Sequence, residues 1–245
     1  MNHFLDTVET IEEGLGFSLY DAEHLSWLGI FVLFVALCSV FYRKADEAGK
    51  ARWRKGLMIA LIADELWKML WLTVGGNYEF SYLPLHLCSI NIFLIAYHAL
   101  KSNRVLGNYL YTVGIPGALA AMLFPTWTEL PAGNFMYLHS FTVHILLAGY
   151  PLILTLAGDI KPDWRQIPRC LLLLLCMAVP IYGINLLLDT NFMFLMSADP
   201  GNPLYIFEQL WGNHLLGFPI IIAGVLLVMH GPWFFAEKVK AKKTK

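Results

Sequence analysis

Three ionisable residues stand close together inside an otherwise apolar stretch of the chain. Residues 56–74 form this stretch, and they include Asp64, Glu65 and Lys68. In a helix, the two carboxylates precede the lysine by four and three residues and can pair with it on one face. Ionisable groups inside a bilayer are costly, and they usually face the protein interior or a functional cavity. The three residues therefore indicate either a functional site or a charge network that holds helices together.

A cysteine and two histidines supply the residue types of nucleophilic catalysis. Cys88 and Asn91 are three residues apart and share a helix face, and a later apolar stretch contains His139, Ser140 and His144. A thiol is mostly protonated at neutral pH, so a nucleophilic cysteine needs a base beside it, as in Cys–His pairs. Asn91 could then hydrogen-bond an oxyanion. The structural alternatives are an inert buried thiol and histidines that serve only in packing.

These groups are predicted to share one layer of a membrane. Counted at 1.5 Å per residue from the outer helix ends, Cys88 is about 8–10 Å deep and His144 about 14 Å. The same count places Glu65 at about 14 Å and Lys68 at about 9 Å. Scattered structural hydrogen bonds have no reason to share a level. The common depth therefore favours a single site in the outer half of the bilayer.

The elements that must position these residues are transmembrane helices. Of the 245 residues, 58% are hydrophobic and 14% are charged, and the mean hydropathy is +0.57. A soluble domain of this size needs more charged surface, whereas a bilayer accepts helices of about 20 apolar residues. The pattern predicts an all-α membrane protein of seven spans. Their ranges are 25–42, 56–74, 83–100, 105–124, 135–157, 170–188 and 215–235.

The cations predict the orientation of these spans. Of the 17 Lys and Arg residues, all except Lys68 fall on one side of a seven-span arrangement. The positive-inside bias then predicts an N-terminus outside and a C-terminus in the cytoplasm. We expect residues 1–24 to form an exported acidic segment, because their charge is wrong for a signal peptide. Residues 25–235 would form the seven-helix domain, and residues 236–245 a basic cytoplasmic tail.

Three local features bear on how the spans pack. Pro84 suits the first turn of the third helix, and Pro116 predicts a bend in the fourth. Small residues in the fourth span permit close helix contact; they are Gly114, Gly117, Ala118 and Ala121.

The outer loop, residues 189–213, is long and apolar, which predicts an interfacial segment or a lid.

The sequence of residues 83–90, Leu-Pro-Leu-His-Leu-Cys-Ser-Ile, resembles the signature of the YwaF family of bacterial integral membrane proteins. That family is related to a eukaryotic transmembrane family of phospholipid acyltransferases. Residues 143–147 resemble the family's second histidine-bearing element. Residues 185–187 and 189–195 resemble the end of its sixth helix and its outer loop.

This resemblance implies a cysteine nucleophile on the third helix and a histidine base on the fifth. In this chain the two are Cys88 and His144, with His139 as the other candidate base and Asn91 beside the nucleophile. It also implies membrane phospholipids and lysophospholipids as partners and the bacterial plasma membrane as the location. The other polar residues of the spans and the outer loop are expected to bind substrate: Asp64, Glu65, Lys68, His86, Asn185 and Asn191.

The predicted reaction is acyl chemistry on lipids. A phospholipid ester carbonyl lies just below the headgroups, close to the depth predicted for Cys88. Transfer of the acyl group from a thioester to a lysolipid would make the protein an acyltransferase, and transfer to water would make it a lipase. Acyl transfer is favoured, because a thioester buried in a membrane is shielded from water.

Other functions are weighed against this one. A transporter or proton-coupled channel is the main alternative, because chains of acidic residues and histidines also mark ion paths. No internal repeat of the transporter kind is visible. A non-catalytic scaffold is the third possibility. A retinal protein is excluded, because residues 215–235 contain no lysine. No metal-binding spacing of Cys and His and no cofactor motif is present, and the net charge of −1 gives no support for nucleic-acid binding.

Overall fold

The computed structural model describes residues 3–198, 200 and 202–243, and within these ranges all regular structure is helical. The α-helices of the described ranges are α1 (Ala22–Lys44), α2 (Glu47–Gly75), α3 (Leu87–Leu100), α4 (Arg104–Tyr109), α5 (Ile115–Leu123), α6 (Phe135–Ala157), α7 (Ile167–Leu188), α8 (Tyr205–Trp211) and α9 (Gly217–Lys243). A π-helical turn, Leu110–Gly114, joins α4 to α5. Short 3-10 turns lie at His3–Leu5, Phe80–Tyr82, Trp164–Gln166, Phe192–Phe194 and His214–Leu216.

Six helical segments of the described chain are long and apolar enough to cross a membrane. They are Ala22–Lys44, Phe80–Leu100, Arg104–Leu123, Phe135–Ala157, Trp164–Leu188 and His214–Phe235. The prediction of an all-α multi-pass membrane protein is thus confirmed. The helix α2 has 29 residues and is long enough to span, but it contains Asp64, Glu65 and Lys68 and is not one of the six. A seventh span and the orientation of the termini stay predictions.

The bundle has two chemically different ends. We call the end where residues 3–21 lie the acidic end; α3, α6 and α9 begin there, and α2, α5 and α7 finish there. The opposite end, with the α1–α2 connection, is the basic end. The predicted basic tail begins within α9, which continues to Lys243. Residues 1, 2, 244 and 245, which belong to the predicted terminal segments, lie outside the described residues.

The helix α6 is the centre of the bundle. It packs against α1, α2, α3 and α5, and side chains on all its faces are buried. By contrast, only 11% of the apolar windows of α7 and α9 is buried. Their exposed aliphatic side chains, such as Val179 and Leu187, suit contact with lipid, where an apolar surface costs nothing. A polar group on α6 is therefore enclosed by protein rather than by lipid.

The helix α3 is shorter than its apolar stretch. It begins at Leu87 and not at residue 83, with His86 as its N-cap residue. The expectation that Pro84 lies in the first helical turn is therefore wrong. The Leu85 N–H bonds the Leu83 carbonyl at 2.7 Å, which makes a tight turn around Pro84. The 14 residues of α3 extend about 21 Å, so the helix starts below the acidic ends of its neighbours.

Glycines let the fourth span lie close against α3. A Cβ atom added at Gly107, Gly114 or Gly117 would lie 3.3 Å from His98 Nε2, 3.8 Å from Asn91 Nδ2 and 3.6 Å from Leu87 Cδ2, respectively. The two segments therefore run antiparallel in close contact, as the small residues predict. The π-helical turn ends directly before α5, which has Pro116 in its first turn. The π-helical turn thus lies next to Pro116, the residue for which a bend is predicted.

Candidate functional site

Five polar side chains from α2 and α6 form one cluster, which we call the charged layer: Glu65, Lys68 and His139 are buried, and Asp64 and Thr142 are partly buried. On α2, Lys68 Nζ donates to Glu65 Oε1 at 2.5 Å. Across the interface, His139 Nδ1 lies 2.8 Å from Asp64 Oδ2. The Thr142 hydroxyl donates to the second oxygen, Asp64 Oδ1, at 2.8 Å. The structure therefore joins the three charged residues of α2 to the polar start of α6.

The charged layer carries polar atoms that are incompletely satisfied. His139 Nδ1 and Asp64 Oδ2 are close, but the ring N–H is not aligned with the oxygen, and neither atom has a hydrogen bond within the described chain. Glu65 Oε2 is also without a partner there, 4.0 Å from His139 Nε2. The charged layer therefore brings two carboxyl groups, one lysine amine and one imidazole together at the α2–α6 interface.

The other histidine of α6, His144, has a different environment. Its Nδ1 donates to the Ser140 carbonyl at 2.5 Å. Its ring stacks on Trp127, with centroids 5.4 Å apart and planes at 9°. No hydrogen bond links it to Cys88 in the part of the chain that the structure describes. His144 is therefore held by an aromatic side chain from the α5–α6 connection, outside the charged layer.

Cys88 lies in the first turn of α3. Its side chain is half-buried. The N-cap residue, His86, makes no side-chain hydrogen bond to the first turn, so the backbone N–H groups of this turn stay available. Asn91, one turn further along, is 3% exposed, and its Oδ1 has no partner in the described residues. A helix N-terminus favours negative charge, so an oxyanion that forms at this position during a reaction would be stabilised.

A contact between α3 and α6 gives the relative levels of these groups. His98 Nδ1 and the Tyr150 hydroxyl are 2.9 Å apart, and both helices run from the acidic end to the basic end. Ten residues back from this contact, Cys88 lies level with position 140, next to His139. His144 is one turn, about 6 Å, nearer to the basic end. Counted from this contact, His139 is nearer than His144 to the level of the thiol.

His86 connects α3 to the outer loop. Its Nδ1 accepts a hydrogen bond from the Met193 N–H at 3.4 Å. Its ring lies 5.1 Å from that of Phe192 in an edge-to-face contact. His86 therefore links the start of α3 to the outer loop.

The two asparagines predicted to bind substrate shape the outer loop instead of facing the charged layer. Asn185 Oδ1 accepts from the Phe192 N–H at 2.9 Å, and its Nδ2 donates to the Phe192 carbonyl at 3.0 Å. Asn191 Oδ1 accepts from the N–H groups of Met196 and Ser197 at 3.0 and 3.3 Å. All these bonds are local. The structure therefore gives both residues a role in loop conformation.

The outer loop has structure of its own. It contains the short helix α8, whose Ile206, Leu210 and Trp211 are exposed. His214 follows, with Nδ1 2.9 Å from Glu208 Oε2 and Nε2 3.0 Å from the Phe194 carbonyl. The loop thus has an exposed apolar edge beside the candidate span His214–Phe235, and its role as an interfacial segment or a lid stays a prediction.

Aromatic residues around the site were missed by the sequence analysis. Phe4, Trp67, Trp71 and Phe135 pack together at the acidic end of α2 and α6. A signal was available, because two tryptophans four residues apart share a helix face. No group of three or more His, Cys, Asp or Glu residues within the described ranges is arranged to hold a metal ion.

Comparison with known proteins gives one match. The model of the TMEM164 family matches residues 19–230. The match includes Cys88, the whole charged layer and His144, and it leaves out residues 3–18. No curated protein and no solved structure matches the chain.

Proposed function

The chain belongs to the TMEM164 family, and from this premise we propose that it is an intramembrane lipid acyltransferase or lipase with Cys88 as its nucleophile. One observation carries the proposal: Asp64 lies beside His139, a histidine at the level of a cysteine in a helix first turn. A cysteine, a histidine and a carboxylate that orients the histidine are the parts of a nucleophilic site.

The proposed reaction has two halves. First, Cys88 Sγ attacks the ester carbonyl of a phospholipid, and its proton passes to His139. A C–S bond forms, the C–O bond to the glycerol breaks, and His139 returns the proton to the departing oxygen. Second, the hydroxyl of a lysophospholipid attacks the thioester and gives its proton to His139. The C–S bond breaks, and the sulfur recovers the proton. Water in place of the lysolipid would give a free fatty acid.

The first turn of α3 supplies stabilisation for the charge that develops. Each half passes through a tetrahedral intermediate with a negative oxygen, which needs hydrogen-bond donors at fixed positions. The uncapped backbone N–H groups beside Cys88 are such donors, and we assign the Nδ2 amide group of Asn91, one turn further along α3, as a further donor. While His139 carries the proton, the negative charges of Asp64 and Glu65 balance the positive charges of His139 and Lys68.

We assign the base to His139, although the family resemblance implies His144. The Nδ1 of His144 is used by the Ser140 carbonyl, and its ring is stacked on Trp127. His139 has the carboxylate partner and lies nearer the level of Cys88. These contacts support a catalytic role for His139 and a packing role for His144.

The site also supports a particular membrane arrangement. We propose that α2 is a seventh span, because Glu65 and Lys68 are only 8% and 6% exposed and face α6 within the bundle. Such an enclosed pair is how ionisable groups are accommodated in a membrane. The acidic end is then outside and the basic end cytoplasmic. The resemblance to the YwaF family supports a location in the bacterial plasma membrane.

A proton-coupled transporter is the second candidate. The charged layer favours it, because carboxylates and an imidazole in contact also form proton relays. A transporter needs Asp64, Glu65 and Lys68 but has no use for the Cys88 thiol. A scaffold needs neither the thiol nor the charges for any chemistry.

The thiol therefore provides the test. The protein is reconstituted in vesicles containing a radiolabelled phospholipid and a lysophospholipid, and acyl transfer and acyl-protein formation are measured. We expect a hydroxylamine-sensitive acyl label on Cys88. We also expect Cys88→Ala to lower transfer by at least about 100-fold, the size of a lost catalytic group. Cys38→Ala is the matched control, since Cys38 is also half-buried but lies mid-helix in α1. Transfer by Cys88→Ala at the native rate would overturn the proposal.

A further inference from the structure

An aromatic cluster closes the acidic end of the α2–α6 interface. The ring of Phe4 lies 6.4 Å from Trp67, 5.0 Å from Trp71 and 6.1 Å from Phe135, measured between centroids. Trp67 and Phe135 also contact each other at 6.2 Å. We call these four rings the aromatic layer. Three of them belong to the helices, and the fourth comes from the segment that precedes α1.

Phe4, Trp71 and Phe135 of the aromatic layer lie above the charged layer, whereas Trp67 lies at its level, next to Lys68 on α2. Trp71 follows Lys68 by three residues on α2, and Phe135 precedes His139 by four on α6. On both helices the step is about one turn, or about 5 Å, toward the acidic end. Water that approaches the charged layer along the bundle axis from this end meets the aromatic layer first.

The segment that carries Phe4 is fixed to both helices. Asn134, the N-cap residue of α6, donates to the carbonyls of His3 and Asp6 at 2.7 and 2.8 Å. Asn77, just after α2, donates to the Leu5 carbonyl at 2.9 Å. These bonds hold the backbone on either side of Phe4. Hydrogen bonds of the neighbouring backbone therefore fix the position of the ring, in addition to its packing.

Resting on the thioester chemistry above, we propose that Phe4 is a specificity-determining residue, which directs the acyl group to a lipid and not to water. A lysophospholipid enters sideways from the bilayer, whereas water enters along the axis, where Phe4 blocks it. Without the ring, the space left would adjoin Trp71, whose buried Nε1 donor has no partner among the described residues. A space with a free polar group can hold water. Attack by that water would break the C–S bond and give a free fatty acid and the Cys88 thiol.

The ratio of the two products tests this role. Full-length protein in vesicles is given phospholipid and lysophospholipid, and diacyl product and free fatty acid are both counted. We expect Phe4→Ala to lower the ratio of transfer to hydrolysis about tenfold, because closure against water is what suppresses hydrolysis. The rate of Cys88 acylation should not change. Phe4→Leu, which keeps a large apolar side chain, should restore most of the ratio.

Phe17→Ala is the matched control. Phe17 belongs to the same N-terminal segment and is 8% exposed, but it packs on Tyr137 and Phe141, away from the aromatic layer. Its loss should destabilise the segment and leave the product ratio unchanged. An unchanged ratio in Phe4→Ala, or an equal fall in Phe17→Ala, would overturn the role of Phe4.

A second measurement is independent of acyl chemistry. In a chain whose four native cysteines are alanine, Thr142→Cys places a thiol in the charged layer. Its reaction with a small, charged methanethiosulfonate added on the acidic side should be at least about tenfold faster when Phe4→Ala is also present. The pair with Phe17→Ala should react at the original rate. Equal rates for all three would show that Phe4 does not block water, whether or not the protein transfers acyl groups. Absence of acyl transfer in every variant would instead refute the proposed function alone.

Discussion

Asp64 on α2 contacts two residues of α6 at once, with Oδ2 2.8 Å from His139 Nδ1 and Oδ1 2.8 Å from the Thr142 hydroxyl. Both oxygens of this carboxylate, whose side chain is 14% exposed, thus lie against one helix. In the proposed mechanism the carboxylate compensates the charge of the imidazole while the ring carries the proton taken from Cys88. Asp64 therefore links the packing of the two helices to the chemistry proposed for His139.

This arrangement predicts different effects for the two histidines of α6. We expect His139→Ala to lower acyl transfer by roughly 10²–10⁴-fold, the usual contribution of a general base. His144→Ala should mainly lower the melting temperature, because it removes the stack on Trp127 and leaves a cavity. Initial transfer rates and thermal unfolding of both variants in detergent provide the comparison. Loss of chemistry in His144→Ala at an unchanged melting temperature, with His139→Ala active, would assign the base to His144.

The charges of the layer predict unequal effects on stability. Lys68→Met leaves the two carboxyl groups of the layer without their lysine partner, whereas Glu65→Gln leaves one carboxyl group, Asp64, together with Lys68. Removing one partner of a buried pair typically costs about 3–5 kcal/mol. We therefore expect Lys68→Met to lower the melting temperature clearly more than Glu65→Gln does.

The control for this comparison is Lys50→Met. Lys50 also pairs with carboxylates, Glu47 and Asp159, but at the basic end of the bundle, where water can replace a lost partner. Its substitution should have little effect on the melting temperature. Equally mild effects of Lys68→Met and Glu65→Gln would mean that water reaches the charged layer in the resting protein.

Much of this site could be predicted from the sequence. Polar residues inside apolar stretches are easily recognised in a membrane protein sequence. Those recognised here include Asp64, Glu65, Lys68, Cys88 and His139. The helices themselves follow from the length of the apolar runs. Counting residues at the constant rise of a helix predicts one level for Cys88, His144, Glu65 and Lys68. The structure instead joins the charged residues of α2 to His139 and stacks His144 on Trp127.

The partners of these residues could not be predicted. Sequence spacing indicates which side chains share a face of one helix, but not how two helices are rotated against each other. The contact of Asp64 with His139, and of Trp127 with His144, depends on that rotation. The start of α3 was misplaced for a local reason. Apolarity continues through residues 83–86, while the turn around Pro84 delays the helix.

The N-terminal segment shows a further limit of sequence reasoning. Its charge predicts an exported, acidic stretch, and nothing in its composition indicates a fixed conformation. The structure packs Phe4 between α2 and α6 and bonds the neighbouring backbone to Asn77 and Asn134. Such contacts depend on side chains far away in the chain, so a local pattern cannot reveal them.

The last prediction concerns α2, whose charges set it apart from the six apolar spans. Single cysteines are introduced in the cysteine-free chain at Ala48, before the apolar part of α2, and at Glu79, after its end. Both positions are exposed. If α2 crosses the membrane, a membrane-impermeant maleimide should label Ala48→Cys only from the cytoplasm and Glu79→Cys only from outside. The proposed orientation follows from the positive-inside bias. Ala132→Cys, in the exposed α5–α6 connection, serves as the reference for the outside, and Ser102→Cys, between α3 and α4, for the cytoplasm. Labelling of Ala48→Cys and Glu79→Cys from the same side would show that α2 does not cross the membrane. The proposal of a seventh span would then be wrong.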